Sequence, residues 1–76
     1  MNHSDLHDCI HQKLERYFTQ LNEESASGVF KMVTQQAETA TLKFVLEKAN
    51  QNYSEAARIL GINRATLKKK VELYQL

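Results

Sequence analysis

The stretch Asn52–Tyr74, NYSEAARILGINRATLKKKVELY, decides how the rest of the chain is read. It divides into two short helices with a three-residue turn between them. The first is expected from about Tyr53 to Leu60. Asn52 is placed to cap it, because a side-chain carbonyl can accept one of the orphan N–H groups of a first turn, and Glu55 three residues on completes the pattern of a capping box. Gly61 ends this helix, since glycine takes a positive φ without steric penalty. Ile62 plugs the turn, and Asn63 caps a second helix from Arg64 to about Leu73.

The faces of these helices separate cleanly. At about 100° per residue, Leu67, Val71 and Tyr74 fall on one side of the second helix. Ala56, Ala57, Ile59, Leu60 and Ile62 offer apolar partners, and the two alanines permit close approach. Opposite lie Ala65 and Lys69, flanked by Thr66 and Lys68, with Arg64 at the N-terminal end. This is the pattern of a helix-turn-helix whose second helix reads DNA. Arg64 and Lys69 suit phosphate or guanine, and Ser54, Asn63 and Thr66 suit phosphate oxygens. The plainer alternative is a solvated basic helix in a small bundle.

Charge supports the sharper reading. The chain has 76 residues and a net charge of only +1. Residues 1–52 nevertheless hold five Lys/Arg against seven Asp/Glu, and residues 53–76 hold five against two. Positive charge gathers where the reading helix is expected.

One chain of this size forms one domain with a small core, and it often needs a partner subunit. With no proline and two glycines, Gly28 and Gly61, it should be all-helical with short connections. Cys9 is alone, which rules out an intramolecular disulfide and suits a reducing cytosol. No apolar run reaches the roughly 20 residues of a membrane span, and MNHSDLHDC lacks the basic start of a secretory signal.

Upstream, Ser4 is a candidate cap for a helix running to about Leu21, with Asp5 and Asp8 near its positive end. Its apolar stripe is Leu6, Ile10, Leu14, Tyr17 and Leu21, with Cys9 and Phe18 at the edges and Cys9 expected to be a half-buried apolar side chain. His3, His7 and His11 follow one edge at a spacing that could bind zinc or nickel, but a polar flank explains them as well. No metal or other cofactor is expected. Asn22–Gly28 is a polar connection in which Ser25 or Ser27 could cap the next helix, Val29 to Ala49, about 30 Å long. That helix is apolar on two sides: Val29, Val33, Ala37, Ala40 and Phe44 on one, and Leu42, Val45, Leu46 and Ala49 on the other. One face is expected in a dimer core with the first helix and the other under the helix-turn-helix. A monomeric four-helix bundle is the competing arrangement. No phosphate loop or nucleophile–base pair points to an enzyme.

GINRATLKKK, with NYSEAARILG before it, resembles the C-terminal helix-turn-helix of the Fis family (factor for inversion stimulation) of bacterial nucleoid proteins. It is also similar to the DNA-binding domain of NtrC-type activators. LERYFTQLN and VFKMVTQQAE resemble the Fis dimerisation core, and the short chain carries no ATPase domain. The resemblance implies one domain: dimerisation helices at about 5–49, a helix-turn-helix at about 50–76, and an intertwined homodimer. It implies a cytoplasmic, nucleoid-associated protein that binds and bends double-stranded DNA with loose specificity. RNA polymerase or other transcription proteins are the further candidate partners. Arg64 would read guanine, with Asn63 close by, while Asn52, Ser54, Thr66, Lys68, Lys69 and Lys70 match positions that hold the DNA backbone. Enteric Fis proteins carry a β-hairpin arm ahead of the first helix, for which five residues leave no room, so stimulation of an invertase is not expected. They also have a proline where this chain has Ala40, which implies a weaker kink. The alternatives are a locus-specific regulator of NtrC type and a helical interaction module without DNA binding.

Overall fold

The computed structural model describes residues 3–21 and 24–76, the first two of these by backbone alone. The described residues form four helices and no strand: α1 (His3–Gln20), α2 (Val29–Lys48), α3 (Tyr53–Leu60) and α4 (Arg64–Tyr74). The all-helical reading and the order of its elements hold. Among the described residues no helix is long and apolar enough to cross a membrane. The chain divides into two compact units, one ending at Val33 and one running from Thr34 to Leu76, so the second takes in most of α2 with the helix-turn-helix.

Every buried residue of the described chain lies in the second unit. Leu42, Leu46 and Ala49 of α2 and its end, Ala56 and Ala57 of α3, and Leu67 and Val71 of α4 make one cluster. Val45, Tyr53, Leu60, Ile62 and Tyr74 pack around it. Leu67 is fully buried at its centre, which is why α4 turns this face inward. Ala56 and Ala57, also buried, remove the bulk that would hold α3 away. Ile59, expected among the apolar partners, is instead 49% exposed, because the two alanines occupy the inner face of α3.

The three helices of this unit end in the same way. Asn50, Gly61 and Gln75 all take positive φ. After each, the next N–H reaches back to a carbonyl of the last turn: Gln51 donates to Leu46 (2.8 Å), Ile62 to Ala57 (3.1 Å) and Leu76 to Val71 (3.0 Å). Asn50, Gly61 and Gln75 themselves donate to Glu47 (3.1 Å), Arg58 (3.3 Å) and Glu72 (3.3 Å). These paired bonds are Schellman motifs, which satisfy carbonyls that a helix end would otherwise leave orphaned. All three 6→1 acceptors belong to buried core residues. The left-handed turn was expected only at glycine. The structure finds it also at Asn50, Gln51 and Gln75, where an L-residue meets a steric penalty. This also explains Leu76, whose N–H closes α4, while Leu73 is left 71% exposed.

In the first unit, α1 places Ile10, Leu14, Tyr17 and Leu21 half-buried, while Leu6 and Phe18 are exposed. Three local expectations change. Cys9 is exposed rather than half-buried. Ser4 lies inside the first turn of α1, which begins at His3. The residue directly before α2 is Gly28, whose carbonyl accepts the Met32 N–H (3.0 Å), so neither Ser25 nor Ser27 occupies the cap position. Asn22 of the connection lies outside the described residues. The side chain of His3 does too, and with it the expected three-histidine edge. His7 and His11 stack, with ring centroids 5.9 Å apart.

Candidate nucleic-acid interface

The geometry of the helix-turn-helix follows from its two asparagine caps. The Asn52 side-chain oxygen accepts the Glu55 N–H (3.1 Å), and the Asn63 oxygen accepts the Ala65 N–H (2.7 Å). Both caps start their helices where the sequence placed them. With one lone pair of each oxygen used by a cap, the side-chain amide N–H groups remain as donors suited to phosphate oxygens. The reciprocal half of the expected capping box is absent. Glu55 turns to Arg58, which donates to it at 2.5 and 3.2 Å, and the Asn52 N–H donates to Ala49 instead (3.0 Å). This pairing lowers the Glu55 pKa and raises that of Arg58.

Burial of Leu67 and Val71 fixes which side of α4 meets solvent. Arg64, Ala65, Thr66, Lys68 and Lys69 are all exposed. Asn63, Arg64, Ala65 and Lys68 line a shallow, open concavity at the start of the helix. Ser54 is exposed in the first turn of α3, next to Asn52. Of the eight candidate residues, the structure therefore gathers Asn63, Arg64 and Lys68, keeps Thr66 and Lys69 exposed on the same helix, and puts Asn52 and Ser54 at the start of α3.

Lys70 stands apart. Three residues beyond Leu67, it lies on the flank of the buried stripe rather than opposite it. Its Nζ donates to Glu38 Oε1 of α2 at 2.6 Å, and the side chains of Lys70 and Glu38 are 32% and 38% exposed. The other Glu38 oxygen accepts a short hydrogen bond from the Tyr74 hydroxyl. The hydrogen bond from Lys70, followed by that from Tyr74, holds the Glu38 carboxyl below its ordinary pKa. The hydrogen bond to Glu38 in turn raises the pKa of both Lys70 and Tyr74. The Fis resemblance matched Lys70 to a position that holds the DNA backbone; in the structure its ammonium is engaged by Glu38. Glu38 did offer a signal, being the one charged residue between Lys31 and Lys43.

Residues 35–74 match the family described as "Bacterial regulatory protein, Fis family". The chain is 45% identical over 67 residues to a Fis-like DNA-binding protein of Neisseria meningitidis, covering 88% of this chain and 85% of that one. A Fis-like DNA-binding protein of Ralstonia nicotianae is 41% identical over 76 residues, which is 100% of this chain and 99% of the relative. The DNA-binding protein Fis of Yersinia enterocolitica is 38% identical over 69 residues, covering 91% of this chain and 70% of that protein.

Proposed function

The chain belongs to the Fis family of bacterial regulatory proteins, and from that premise we propose that it acts as a homodimer that binds and bends double-stranded DNA with loose sequence preference. The observation that carries this reading is the division of α4. Leu67 and Val71 anchor one side in the core, and Arg64, Thr66, Lys68 and Lys69 stand clear on the other. A helix fixed in this way can enter a major groove without disturbing its own packing.

In that groove, the Arg64 guanidinium presents a planar fork that matches O6 and N7 of guanine. The amide of Asn63 lies beside it. Lys68 and Lys69 neutralise phosphates, and Asn52, Ser54 and Thr66 donate to phosphate oxygens. Lys70, engaged by Glu38, is kept out of this set. The half-buried stripe of α1 and the exposed Phe18, Phe30 and Phe44 supply apolar surface for a second copy. Successive major grooves of straight DNA are about 34 Å apart. In the Fis-type dimer the two reading helices are closer than this, so the DNA must bend and its intervening minor groove must narrow. Compressible A/T-rich centres are then favoured without being touched. On this reading the protein acts on the bacterial nucleoid, with RNA polymerase and other transcription proteins as further candidate partners.

The test is a salt titration of binding to short duplexes, with mass measured in parallel. Guanines spaced for two half-sites would flank either an A/T-rich or a G/C-rich centre. Dimer mass, steep salt dependence and preference for the A/T-rich centre are expected. A monomer, or no binding at low salt, would overturn the reading. Equal affinity for the two centres would remove bending. A genome-wide footprint with few strong sites would favour a locus-specific regulator over a nucleoid protein.

A further inference from the structure

We propose that Glu38 limits the DNA affinity of this protein by withholding a phosphate contact: it holds the Lys70 ammonium against α2 and off the DNA-facing edge of α4. This rests on the DNA-binding reading above and assigns a role within it to a residue outside the helix-turn-helix.

Three lysines follow one another in α4, and the structure treats them unequally. Lys68 and Lys69 are exposed. Among the described residues, Lys70 is the one cation of α4 in an ion pair. Lys70 lies one turn beyond Thr66 on the same edge of the helix, as i and i+4 neighbours do. A lysine stem is long enough to carry its ammonium from that edge to a phosphate next to one held by Thr66. Glu38 keeps it elsewhere, using one carboxylate oxygen for Lys70 and the other for Tyr74, a further turn along α4. The Lys70 stem lies at an open groove that it lines together with Ala37, Thr41, Leu60 and Ile62. The pair is about one-third exposed rather than sealed, so the ammonium can leave Glu38 without opening the core.

A lysine held in this way contributes nothing to counterion release. Freed, it would add one sequence-independent contact. Affinity for every duplex would rise alike, and the guanine and A/T preferences would stay as they are.

The experiment uses the full chain, a specific and a non-specific duplex, and a salt series for each variant, with helical content checked by circular dichroism. Glu38→Gln is expected to tighten binding to both duplexes and to steepen the salt slope by about 0.9, so that the affinity lost between about 50 and 200 mM salt grows about 3.5-fold. Lys70→Gln alone is expected to leave the slope unchanged. Added to Glu38→Gln, it should return the slope to the wild-type value. Glu47→Gln removes an exposed carboxylate from the same helix and frees no lysine, so it should leave the slope unaltered.

An unchanged or shallower slope for Glu38→Gln overturns the proposal. So does a shallower slope for Lys70→Gln alone, which would mean that Lys70 already touches phosphate; this arm stands even where Glu38→Gln folds poorly. An equal gain from Glu47→Gln reduces the effect to net charge and overturns the proposal too. Wild-type protein that binds neither duplex at low salt overturns the DNA-binding reading, and this inference with it, before any variant is compared.

Discussion

Helices α1 and α4 are both amphipathic by sequence, but they end in different situations. The 11 residues of α4 bury Leu67 and Val71 within the chain. The 18 residues of α1 include no buried residue among those described, and Leu6 and Phe18 are more than half exposed. A periodic stripe says that a helix has an apolar face; it does not say that its own chain can cover it. The α4 face is covered because α3 and the second half of α2 present small and branched side chains to it, while the polar segment after α1 offers nothing comparable. The part of the molecule proposed to meet DNA is thus the part that holds itself together. The part with uncovered apolar surface is the one proposed to meet a second copy.

The contrast breaks most visibly at its strongest point. Leu67→Ala should destabilise the Thr34–Leu76 unit by about 2–5 kcal/mol at any protein concentration, as read from urea unfolding. A cost under about 1 kcal/mol would mean that the cluster is not the core described. Phe18→Ala should do the opposite kind of damage, weakening self-association by about 1.5–3 kcal/mol per side chain withdrawn while helical content at high concentration persists. An unchanged dimer constant would remove that edge of α1 from the interface. Arg64→Ala separates the two sides of a single helix. Urea stability should hold, while binding to sites carrying the guanine falls by about 1–3 kcal/mol and other sequences lose less. Equal loss on all duplexes would count against base reading.

Gln51→Gly tests a helix end and should raise stability by up to about 1 kcal/mol, since glycine takes positive φ without strain but gives back some chain entropy. No gain would mean that the Gln51 side chain contributes something the hydrogen bonds do not show. The smallest effect is one of pH. Because the Glu38 pKa is lowered on folding, its contribution is complete above its ordinary value of 4.5 and is lost as pH falls through the lower, folded value. The Lys70 pKa is raised, so its share is complete below 10.5 and is lost as pH rises beyond. The stability difference between wild type and Glu38→Gln should therefore narrow at both extremes. A difference that stays constant from acid to alkali would mean that the ion pair contributes nothing.

What could be read from the sequence followed the range of the interactions. Asn52, Gly61 and Asn63 act on neighbours within four residues, so the bounds of α3 and the start of α4 were legible, as was the Leu67–Val71–Tyr74 stripe. The exposure of Arg64, Thr66, Lys68 and Lys69 followed from that stripe alone. The engagement of Lys70 could not be read in the same way, because its partner lies 32 residues away on another helix. Two near misses have local causes. Glu55 had a choice between the Asn52 N–H and the Arg58 guanidinium, and a charged donor makes the stronger bond. Asn50, Gln51 and Gln75 adopt a conformation that composition flags only at glycine, because the closing hydrogen bonds at the ends of α2 and α4 outweigh the steric penalty.

A chain closed in this way can change its length in few places. Ala49–Asn52 and Gly61–Asn63 have no spare residue: each begins with a hydrogen-bonded stop and finishes on the asparagine that starts the next helix. An insertion in either would separate stop from start and cost about 1 kcal/mol for a lost cap, besides re-aiming the helix that follows. The exposed run from Glu24 to Gly28 is under no such constraint, and lengthening it costs only the slow logarithm of loop closure. Insertions and deletions that survive in descendants of this sequence should therefore collect ahead of Val29, leaving the spacing of the reading head fixed while the segment before it drifts.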